Sequence, residues 1–510
     1  MGSYQPFLIA NFRVGLELDL EPWLLPQDAF KTLDNAFLRR GILQKRLGYT
    51  EFADTGDAHP IIGLMNYVKT DGSNELLVHD TKRLFTNSAG VLTDIDGSDK
   101  LSGSDQEFIN WVNWDGTMYM TNNNDRPRTY NGTVVADFDM DIDGGGNDVT
   151  TVAFFAVQKE RLITFRNTEG GTLYPQRARW CAAGNPADWT GDEFVDCPTA
   201  EWIQGVAYRG DDIVVYFDSS VWILKYTGNS VLPFRWEQIS VYEGSAAPFS
   251  PIALKQDTFA MSKIGVTICD GINVDRIDSK IPDIVESFDS ANVGAAFSWR
   301  DDSLEHLLML YPSPGNTDSD KALVLNYDDA SWANFGFPFT VMGDYTVESG
   351  QTWTESAGVT WANDTGPWLE SSNSAGFPTI LAGDLSGKVF KLNDTGQDDG
   401  SDISFEVMSG RWNPYTKAGM KARLGYIDFL VSSIGDIDVS VDFYLDFEDV
   451  PYVTQTLSFD QSAEKSWVRL YAGAVGSSHR IRLYHTESGR APQIHAIMPF
   501  FKPLGRLNRA

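Results

Sequence analysis

Cysteine is scarce in this chain, with three residues among 510, and no two of them have the C-x-x-C spacing of a metal or redox site. An odd number of isolated thiols does not complete a disulfide framework, so we expect reduced cysteines and synthesis in a cytoplasm. Long apolar runs are also missing, since none approaches the ~18 residues that a membrane-spanning helix needs. The sequence therefore predicts neither a disulfide-stapled secreted protein nor a membrane-spanning segment.

Basic residues are also few in comparison with acidic residues. The chain has 40 Lys and Arg residues against 70 Asp and Glu residues, which gives a net charge of −30. Such a surface repels nucleic-acid phosphates and anionic membranes, which argues against a protein that reads DNA sequence. It remains compatible with a surface past which DNA slides without sticking.

The motifs of common enzymes are missing too. There is no G-x-S-x-G, no H-E-x-x-H, no P-loop and no G-x-G-x-x-G that opens a helix. Carboxylates are so numerous that choosing two of them as a catalytic pair would be arbitrary. We therefore expect a protein that is not an enzyme and needs no cofactor.

What the sequence does contain is a repeat. From about residue 60 to 400, an apolar strand, a tight polar turn and a second apolar strand recur seven times, about 48 residues apart. IIGLMNYVKTDGSNELLVHD and ILAGDLSGKVFKLND are examples. This spacing is typical of four-stranded propeller blades and predicts an all-β protein with a β-propeller of about seven degenerate blades. Two β-sandwiches in tandem would be an alternative source of many short strands.

The pattern divides the chain into three parts. Residues 1–59 are expected to form an N-terminal arm with a basic hairpin, and residues 60–400 the propeller, with insertions at 137–150 and 345–378. Residues 401–510 contain about eight strand-like runs, which predict a C-terminal antiparallel β-sandwich. The last 32 residues have six Arg and Lys against one Glu, so both ends of the acidic chain are basic.

The N-terminal hairpin, NAFLRRGILQKRLGYT, carries Arg39, Arg40, Lys45 and Arg46 and no acid. Its simple interpretation is a strand pair with a solvated charged face. The sharper hypothesis is a subunit interface, because copies of a chain with a charge of −30 need complementary positive patches to pack together.

The first insertion contains DMDIDGGGN, in which Asp139, Asp141 and Asp143 alternate before Gly144. This order resembles the start of a calcium loop, where oxygen ligands converge and a glycine permits the turn. The twelfth position holds Thr150 instead of an acid. A structural Ca²⁺ and a plain solvated acidic loop therefore both remain open.

The second insertion is rich in Ser, Thr, Gly and Trp. Trp353, Trp361 and Trp368 would form a contact surface for a partner if they are exposed, since aromatic residues are enriched at interfaces. The alternative is that they fold back onto a blade.

Several stretches together resemble a family of proteins from short-tailed phages, the tail nozzle or tail-hub proteins, also called packaged-DNA stabilisation proteins. The family's N-terminal pattern is a Pro, an Asp-Ala, a Leu-x-Asn, a Gly and a Lys-Arg-x-Gly. Its counterparts here are Pro26, Asp28-Ala29, Leu33-Asp34-Asn35, Gly41 and Lys45-Arg46-Leu47-Gly48. Further likeness lies in RARWCAAGNPADW (177–189), YFDSSVWILKYTGNSVLPF (216–234), RWNPYTKAGMKARLGYIDFLV (411–431) and PFFKPLGRLNR (499–509).

This resemblance implies a β-propeller subunit of a ring, often sixfold, at the distal end of the portal-adaptor channel in a virion tail. It implies retention of packaged DNA before infection, passage of duplex DNA during ejection, assembly in the host cytoplasm, and contacts to a portal-adaptor protein and to tail fibres or spikes. It supplies no catalytic residues. The alternatives are a carbohydrate-binding tail module and a propeller-type glycan depolymerase.

Overall fold

The computed structural model describes residues 3–88, 90–97, 100–144, 149–189, 191–346, 378–433, 435–459, 464–486 and 492–507. Strands make up 56% of the structure and helices 2%, so the prediction of an all-β protein is confirmed. No helix within these ranges is long and apolar enough to cross a membrane.

Seven short strands precede the repeated units. Their bounds are β1 Gln5–Pro6, β2 Ile9–Ala10, β3 Gly15–Leu16, β4 Ala29–Asp34, β5 Ala36–Arg39, β6 Ile42–Lys45 and β7 Tyr49–Asp54. Two of them, β5 and β6, form the basic hairpin. Every sheet that these seven strands enter also contains strands from the second half of the chain.

Five antiparallel sheets follow, which we call blades 1 to 5, and each consists of four consecutive strands. Blade 1 has β8 Ile61–Val68, β9 Asn74–Asp80, β10 Leu84–Ser88 and β11 Val91–Asp94; blade 2 has β12 Asn110–Trp114, β13 Thr117–Thr121, β14 Arg128–Tyr130 and β15 Val135–Asp137; blade 3 has β16 Val149–Gln158, β17 Arg161–Glu169, β18 Thr172–Trp180 and β19 Phe194–Asp196; blade 4 has β20 Ile203–Arg209, β21 Asp212–Phe217, β22 Val221–Tyr226 and β23 Phe234–Ser240; blade 5 has β24 Ile252–Leu254, β25 Asp257–Ser262, β26 Gly265–Cys269 and β27 Val274–Arg276.

A short helix, α1 (Pro282–Glu286), and a 3-10 turn, Val293–Ala295, connect blade 5 to blade 6. Blade 6 has β28 Phe297–Asp301, β29 His306–Tyr311, β30 Lys321–Asn326 and β31 Ser331–Gly336. Blade 7 has only three strands from this part of the chain: β32 Val341–Thr346, β33 Pro378–Gly383 and β34 Lys388–Leu392. Its fourth strand is β7 from the N-terminal region, which pairs antiparallel with β34.

The seven blades close into a ring. The first strand of each blade contacts the first strand of the next, and β32 of blade 7 lies against β8 of blade 1. The contact at this closure is tight, because a Cβ atom placed on Gly343 would lie 2.7 Å from the Cβ atom of Leu64. The predicted propeller is therefore confirmed with seven blades, and the alternative of tandem sandwiches does not apply to residues 61–392.

The nine remaining strands follow blade 7 in the chain, and all but the first two of them belong to the sandwich. They are β35 Gln397–Asp398, β36 Ser401–Asp402, β37 Phe405–Ser409, β38 Met420–Ser432, β39 Ile437–Leu445, β40 Val453–Phe459, β41 Ser466–Gly476, β42 His479–His485 and β43 Gln493–Arg506, with a 3-10 turn at Thr416–Ala418. Sheet 1 has the order β41-β38-β43-β6-β5, and β1 and β2 also pair with β43. Sheet 2 has the order β4-β37-β42-β39-β40, with β3 beside β4. The short strands β35 and β36 instead extend blade 7 beyond β7.

The strands of residues 5–54, within the segment 1–59 that we expected to form an N-terminal arm, are thus distributed over both parts of the molecule. β1, β2, β5 and β6 belong to sheet 1, β3 and β4 to sheet 2, and β7 to blade 7. A pairing of Asp34 with Asn334 also joins sheet 2 to blade 6. The buried apolar residues of blades 1, 6 and 7 and of the sandwich form one continuous cluster, so the N-terminal strands connect the two parts through a shared core.

Two buried histidines make the stability of the fold depend on pH. His79 and His306 are 0% and 1% exposed. Burial lowers the pKa of His79 to about 4 and that of His306 to about 3, in the second case with help from the charge of Arg39. The folded protein therefore keeps both rings neutral at pH values where the unfolded chain would protonate them.

We expect the free energy of unfolding to fall as the pH drops below about 6.5, because the unfolded state then binds protons that the folded state does not. Each histidine should account for on the order of 2 kcal/mol between pH 7 and pH 4.5. The measurement is urea unfolding at both pH values for the wild type and for His306→Leu. The variant should lose less stability on acidification, and equal losses would contradict the assignment to His306.

Candidate functional site

The basic hairpin turns at Arg40 and Gly41, whose φ angles are 52° and 74°. Two consecutive positive φ angles are those of a type I′ turn, which matches the twist of the flanking strands. The Arg39 guanidinium donates a hydrogen bond to the Ser303 carbonyl oxygen in blade 6, at 2.8 Å. Arg40 is exposed. The turn of the hairpin therefore lies beside blade 6, with one of its two arginines facing solvent.

Arg46 lies deep in the seam between the propeller and the sandwich, with 3% of its surface exposed. Its two terminal nitrogens donate to the two carboxylate oxygens of Asp398, at 2.8 and 2.6 Å. Its Nε donates to Asn35 Oδ1 at 2.7 Å, and its guanidinium lies 4.6 Å from the ring centre of Phe337. One arginine thus connects the hairpin to blade 6 and to the start of the C-terminal region.

Lys45 is 1% exposed and places its Nζ 3.2 Å from His485 Nδ1. Burial lowers the pKa of Lys45 to about 8, and the neighbouring positive charge of Arg46 acts in the same direction. Burial also lowers the pKa of His485 to about 4. Lys45 and Arg46 therefore do not present their charges to a neighbouring chain, because both are enclosed by this one. The predicted interface role stays a prediction for Arg39 and Arg40.

Replacing Arg46 by lysine should destabilise the protein by about 2 to 4 kcal/mol. A lysine cannot form the two parallel hydrogen bonds to Asp398, and the partly buried carboxylate is left poorly paired. Urea unfolding measures the change. Arg40→Lys is the control and should stay within about 0.5 kcal/mol of the wild type, since Arg40 is exposed. Equal stability of the two variants would contradict the role of Arg46 in the seam.

The three alternating carboxylates of the first insertion point outward. Asp139, Asp141 and Asp143 are exposed, whereas Phe138 and Met140 between them are buried. Asp141 Oδ1 accepts hydrogen bonds from the backbone N–H groups of residues 143 and 144, at 3.2 and 2.8 Å. Among the residues that the structure describes, no three His, Cys, Asp or Glu side chains are grouped to hold a metal ion. Residues 145–148 lie outside those ranges, and Ca²⁺ binding stays a prediction.

The three tryptophans of the second insertion, Trp353, Trp361 and Trp368, lie outside the described residues. The structure therefore does not test whether they contact a partner. The strands on either side of the insertion, β32 and β33, are neighbours in blade 7.

The outer face of sheet 1 is an aromatic surface, which we call the platform, and Tyr4 packs on part of it, against Tyr426 and Lys502. Its side chains point away from the sandwich core, since the alternate residues Leu424, Ile427 and Phe429 are buried. Residues paired across β43, β38 and β41 form rows: Lys502 with Arg423 and Val475, Phe500 with Tyr426 and Tyr471, Met498 with Asp428 and Arg469, and Leu430 with Trp467.

The centre of the platform is held by ring and charge contacts. Tyr426 and Phe500 stack with their ring centres 4.4 Å apart. Arg469 lies 4.0 Å above the Tyr426 ring and donates to both carboxylate oxygens of Asp428, at 2.7 and 2.8 Å. Around this centre, Trp467 is 52% exposed and Tyr471 64% exposed. Large exposed aromatic side chains on a pre-ordered sheet are typical of a surface that binds a partner.

The edge of sheet 1 next to the platform is protected against strand pairing. β41 is the edge strand, and Gln455 of β40 binds its backbone at Tyr471. The Tyr471 N–H donates to Gln455 Oε1 at 3.2 Å, and the Gln455 amide donates back to the Tyr471 carbonyl oxygen. A side chain that occupies edge hydrogen-bonding groups blocks the addition of another strand. The addition of a strand at Tyr471 is therefore blocked.

A second feature of the surface is a pocket between blades 5, 6 and 7, which we call the interblade pocket. It has a volume of about 350 Å³. Its walls come from the ends of the first strands of these blades and from the start of β33: Ile252, Ala253, Trp299, Arg300, Asp301, Asp302, Ser303, Asp344, Pro378 and Ile380. The Ser303 carbonyl oxygen that accepts the Arg39 hydrogen bond belongs to this wall, so the hairpin stands beside the pocket.

Two carboxyl groups of the pocket have different surroundings. Asp302 forms an ion pair with Arg300, at 2.8 Å from its Nε, and accepts a hydrogen bond from the Tyr327 hydroxyl at 3.0 Å. Burial raises the pKa of the Asp344 carboxyl above its usual range, against the attraction of Arg300. The pocket thus combines an aromatic wall at Trp299 with polar groups that are already oriented.

Sequence reasoning did not identify the platform or the pocket. The platform had a local signal, since SWVRLYAG places Trp467, Arg469 and Tyr471 at alternate positions of one strand. The pocket had none, because its walls come from three blades that are distant in the sequence.

No family model and no curated protein matches the chain. Among solved structures, PorZ from Porphyromonas gingivalis is 9% identical, with a TM-score of 0.36, over 76% of this chain and 44% of its own. BBS1N, solved in complex with ARL6DN, is 10% identical, with a TM-score of 0.40, over 68% of this chain and 98% of its own. An exo-β-1,3-galactanase from Phanerochaete chrysosporium is 8% identical, with a TM-score of 0.26, over 89% of this chain and 100% of its own. The matched structures thus include an enzyme.

Proposed function

We propose that this protein is a structural subunit of a ring, with six copies as the expected number, at the distal end of the portal-adaptor channel of a short-tailed phage. In that position it would retain packaged DNA and let it pass during ejection. The observation that carries the proposal is the platform, a large ordered surface of aromatic and cationic side chains on a chain with a net charge of −30. Such a surface is what a subunit needs to associate with others.

The charge of the chain suits the passage of DNA. Six copies at −30 each would carry about 180 negative charges before counterions. Phosphates bind proteins chiefly through Lys and Arg, so a channel lined by carboxylates lets a duplex move without trapping it. The role is mechanical and not enzymatic, and it needs no cofactor.

The seam between the propeller and the sandwich supports the same role. Arg46 and the strands of residues 5–54 join both parts into one body with a shared core. A closed ring requires the same angle between every two neighbours, which a fixed arrangement of the two parts supplies. The remaining partners under this proposal are a portal-adaptor protein and tail fibres or spikes, in a virion tail assembled in the host cytoplasm.

Native mass spectrometry of the purified protein should show a multiple of 56.7 kDa, with six copies expected. The double variant Trp467→Ser, Tyr471→Ser should shift the mass to the monomer, because it removes the two large exposed aromatic side chains of the platform. Trp202→Ser, Tyr242→Ser is the matched control, since Trp202 and Tyr242 are 47% and 73% exposed on the propeller. A wild type that is monomeric at all concentrations would contradict ring formation by this chain alone.

A second candidate function is binding of a saccharide, and the interblade pocket is the observation in its favour. An aromatic wall stacks on the apolar face of a sugar ring, and carboxyl groups accept hydrogen bonds from its hydroxyls. Trp299 and Asp344 supply these two elements within about 350 Å³, the size range of small-molecule sites.

Saturation-transfer NMR with bacterial surface polysaccharide fragments tests this second candidate. If the pocket binds them, Trp299→Ala and Asp344→Asn should each weaken binding at least tenfold, whereas Asp211→Asn, at a side chain that is 88% exposed on the propeller, should not. Release of reducing ends during the measurement would indicate a glycan depolymerase. Unchanged binding by both pocket variants would exclude the pocket as the site.

A further inference from the structure

The platform carries an excess of positive charge. Arg423, Arg469 and Lys502 stand against one carboxylate, Asp428, within the rows of β38, β41 and β43. Asp428 is already paired with Arg469, which leaves Arg423 and Lys502 side by side in one row. On a chain with a net charge of −30, this cationic surface differs in sign from most of the molecule.

This excess restricts how two copies can meet. A twofold contact would place the platform of one copy on the platform of the other and bring like charges together, which is unfavourable. A contact between the platform and an acidic part of the next copy is favourable, and because it uses two different patches it can close into a ring. The charge distribution therefore favours a head-to-tail arrangement.

We infer that the platform of one copy docks on the acidic propeller of the next, at the outward-facing carboxylates of residues 137–143. This inference rests on the proposed ring and names the two surfaces that would form its repeated interface. It assigns to these carboxylates a role in assembly that does not depend on a bound cation.

The acidic segment presents its carboxylates on one side. Asp137, Asp139 and Asp141 are exposed, and the intervening Phe138 and Met140 are buried in blade 2 and its neighbours. This alternation begins at the end of β15 and continues beyond it, so the three carboxylates form an outward-facing row. The cations of the platform lie in the first and third of its rows, on either side of the row of Phe500, Tyr426 and Tyr471. The two surfaces are thus opposite in charge.

The cation beside Asp137 is already committed elsewhere. Arg128 Nε lies 3.8 Å from Asp137, but the guanidinium donates to Asp96, at 2.7 Å from Nη2 to Oδ1. The Asp96 side chain is 2% exposed and that of Arg128 is 7% exposed, so the two charged groups are enclosed in the propeller. The row of Asp137, Asp139 and Asp141 therefore keeps a negative charge toward solvent.

The test is a charge reversal followed by a charge swap, read by native mass spectrometry and light scattering. Arg423→Glu with Lys502→Glu should convert the ring to monomer, and Asp137→Lys with Asp139→Lys should do the same. The four changes together should restore the ring, because each interface then has its charges exchanged. Arg235→Glu with Lys263→Glu is the control for the change in net charge, since both side chains are exposed on blades 4 and 5.

Circular dichroism and the thermal midpoint show that each variant is folded before its mass is compared. The docking inference is overturned if the ring survives the reversal of Arg423 and Lys502. It is also overturned if the ring is lost on that reversal and the swap does not restore it. Neither result contradicts the proposal that the wild type forms a ring. A wild type that forms no ring contradicts the proposed function itself. Restoration by the swap, together with an unaffected control, supports the inference.

Discussion

The structure depends on the pairing of residues 5–54 with strands that lie more than 300 residues further along the chain. β7 must pair with β34 before blade 7 has four strands, and β6 must pair with β43 before the hairpin joins sheet 1. Contacts of this range are entropically costly to form and are stable only when many are made together. Residues 5–54 therefore supply strands that complete both the propeller and the sandwich. Arg46 is buried in the seam between these two parts.

The distribution of charged side chains between the interior and the surface follows from the same arrangement. The N-terminal cations Lys45 and Arg46 are used inside the molecule, so they add nothing to its surface. The surface keeps the acidic excess of the propeller and the cationic platform of sheet 1. A chain of this kind repels DNA over most of its area and still has one face on which an acidic partner is attracted.

Much of the fold was accessible from the sequence because it is local. The repeated strand, turn and strand predicted seven blades, and the runs after residue 401 predicted a sandwich, since alternation and turn residues depend only on near neighbours. The role of residues 5–54 was not accessible. A short alternating strand has the same sequence pattern whether its partner is the next strand or a strand at residue 390. The sequence therefore favoured a separate N-terminal arm, whereas in the structure these strands are divided among three sheets.

The candidate sites divide in the same way. The sequence by itself determined the acidic charge, the alternation of Asp139, Asp141 and Asp143, and the alternate positions of Trp467, Arg469 and Tyr471, because a two-residue period alone decides which residues share a face. Only the tertiary structure decided which faces are covered. It buried Lys45 and Arg46, left the platform open and assembled the interblade pocket from three blades, since burial depends on packing between elements that are far apart in the chain.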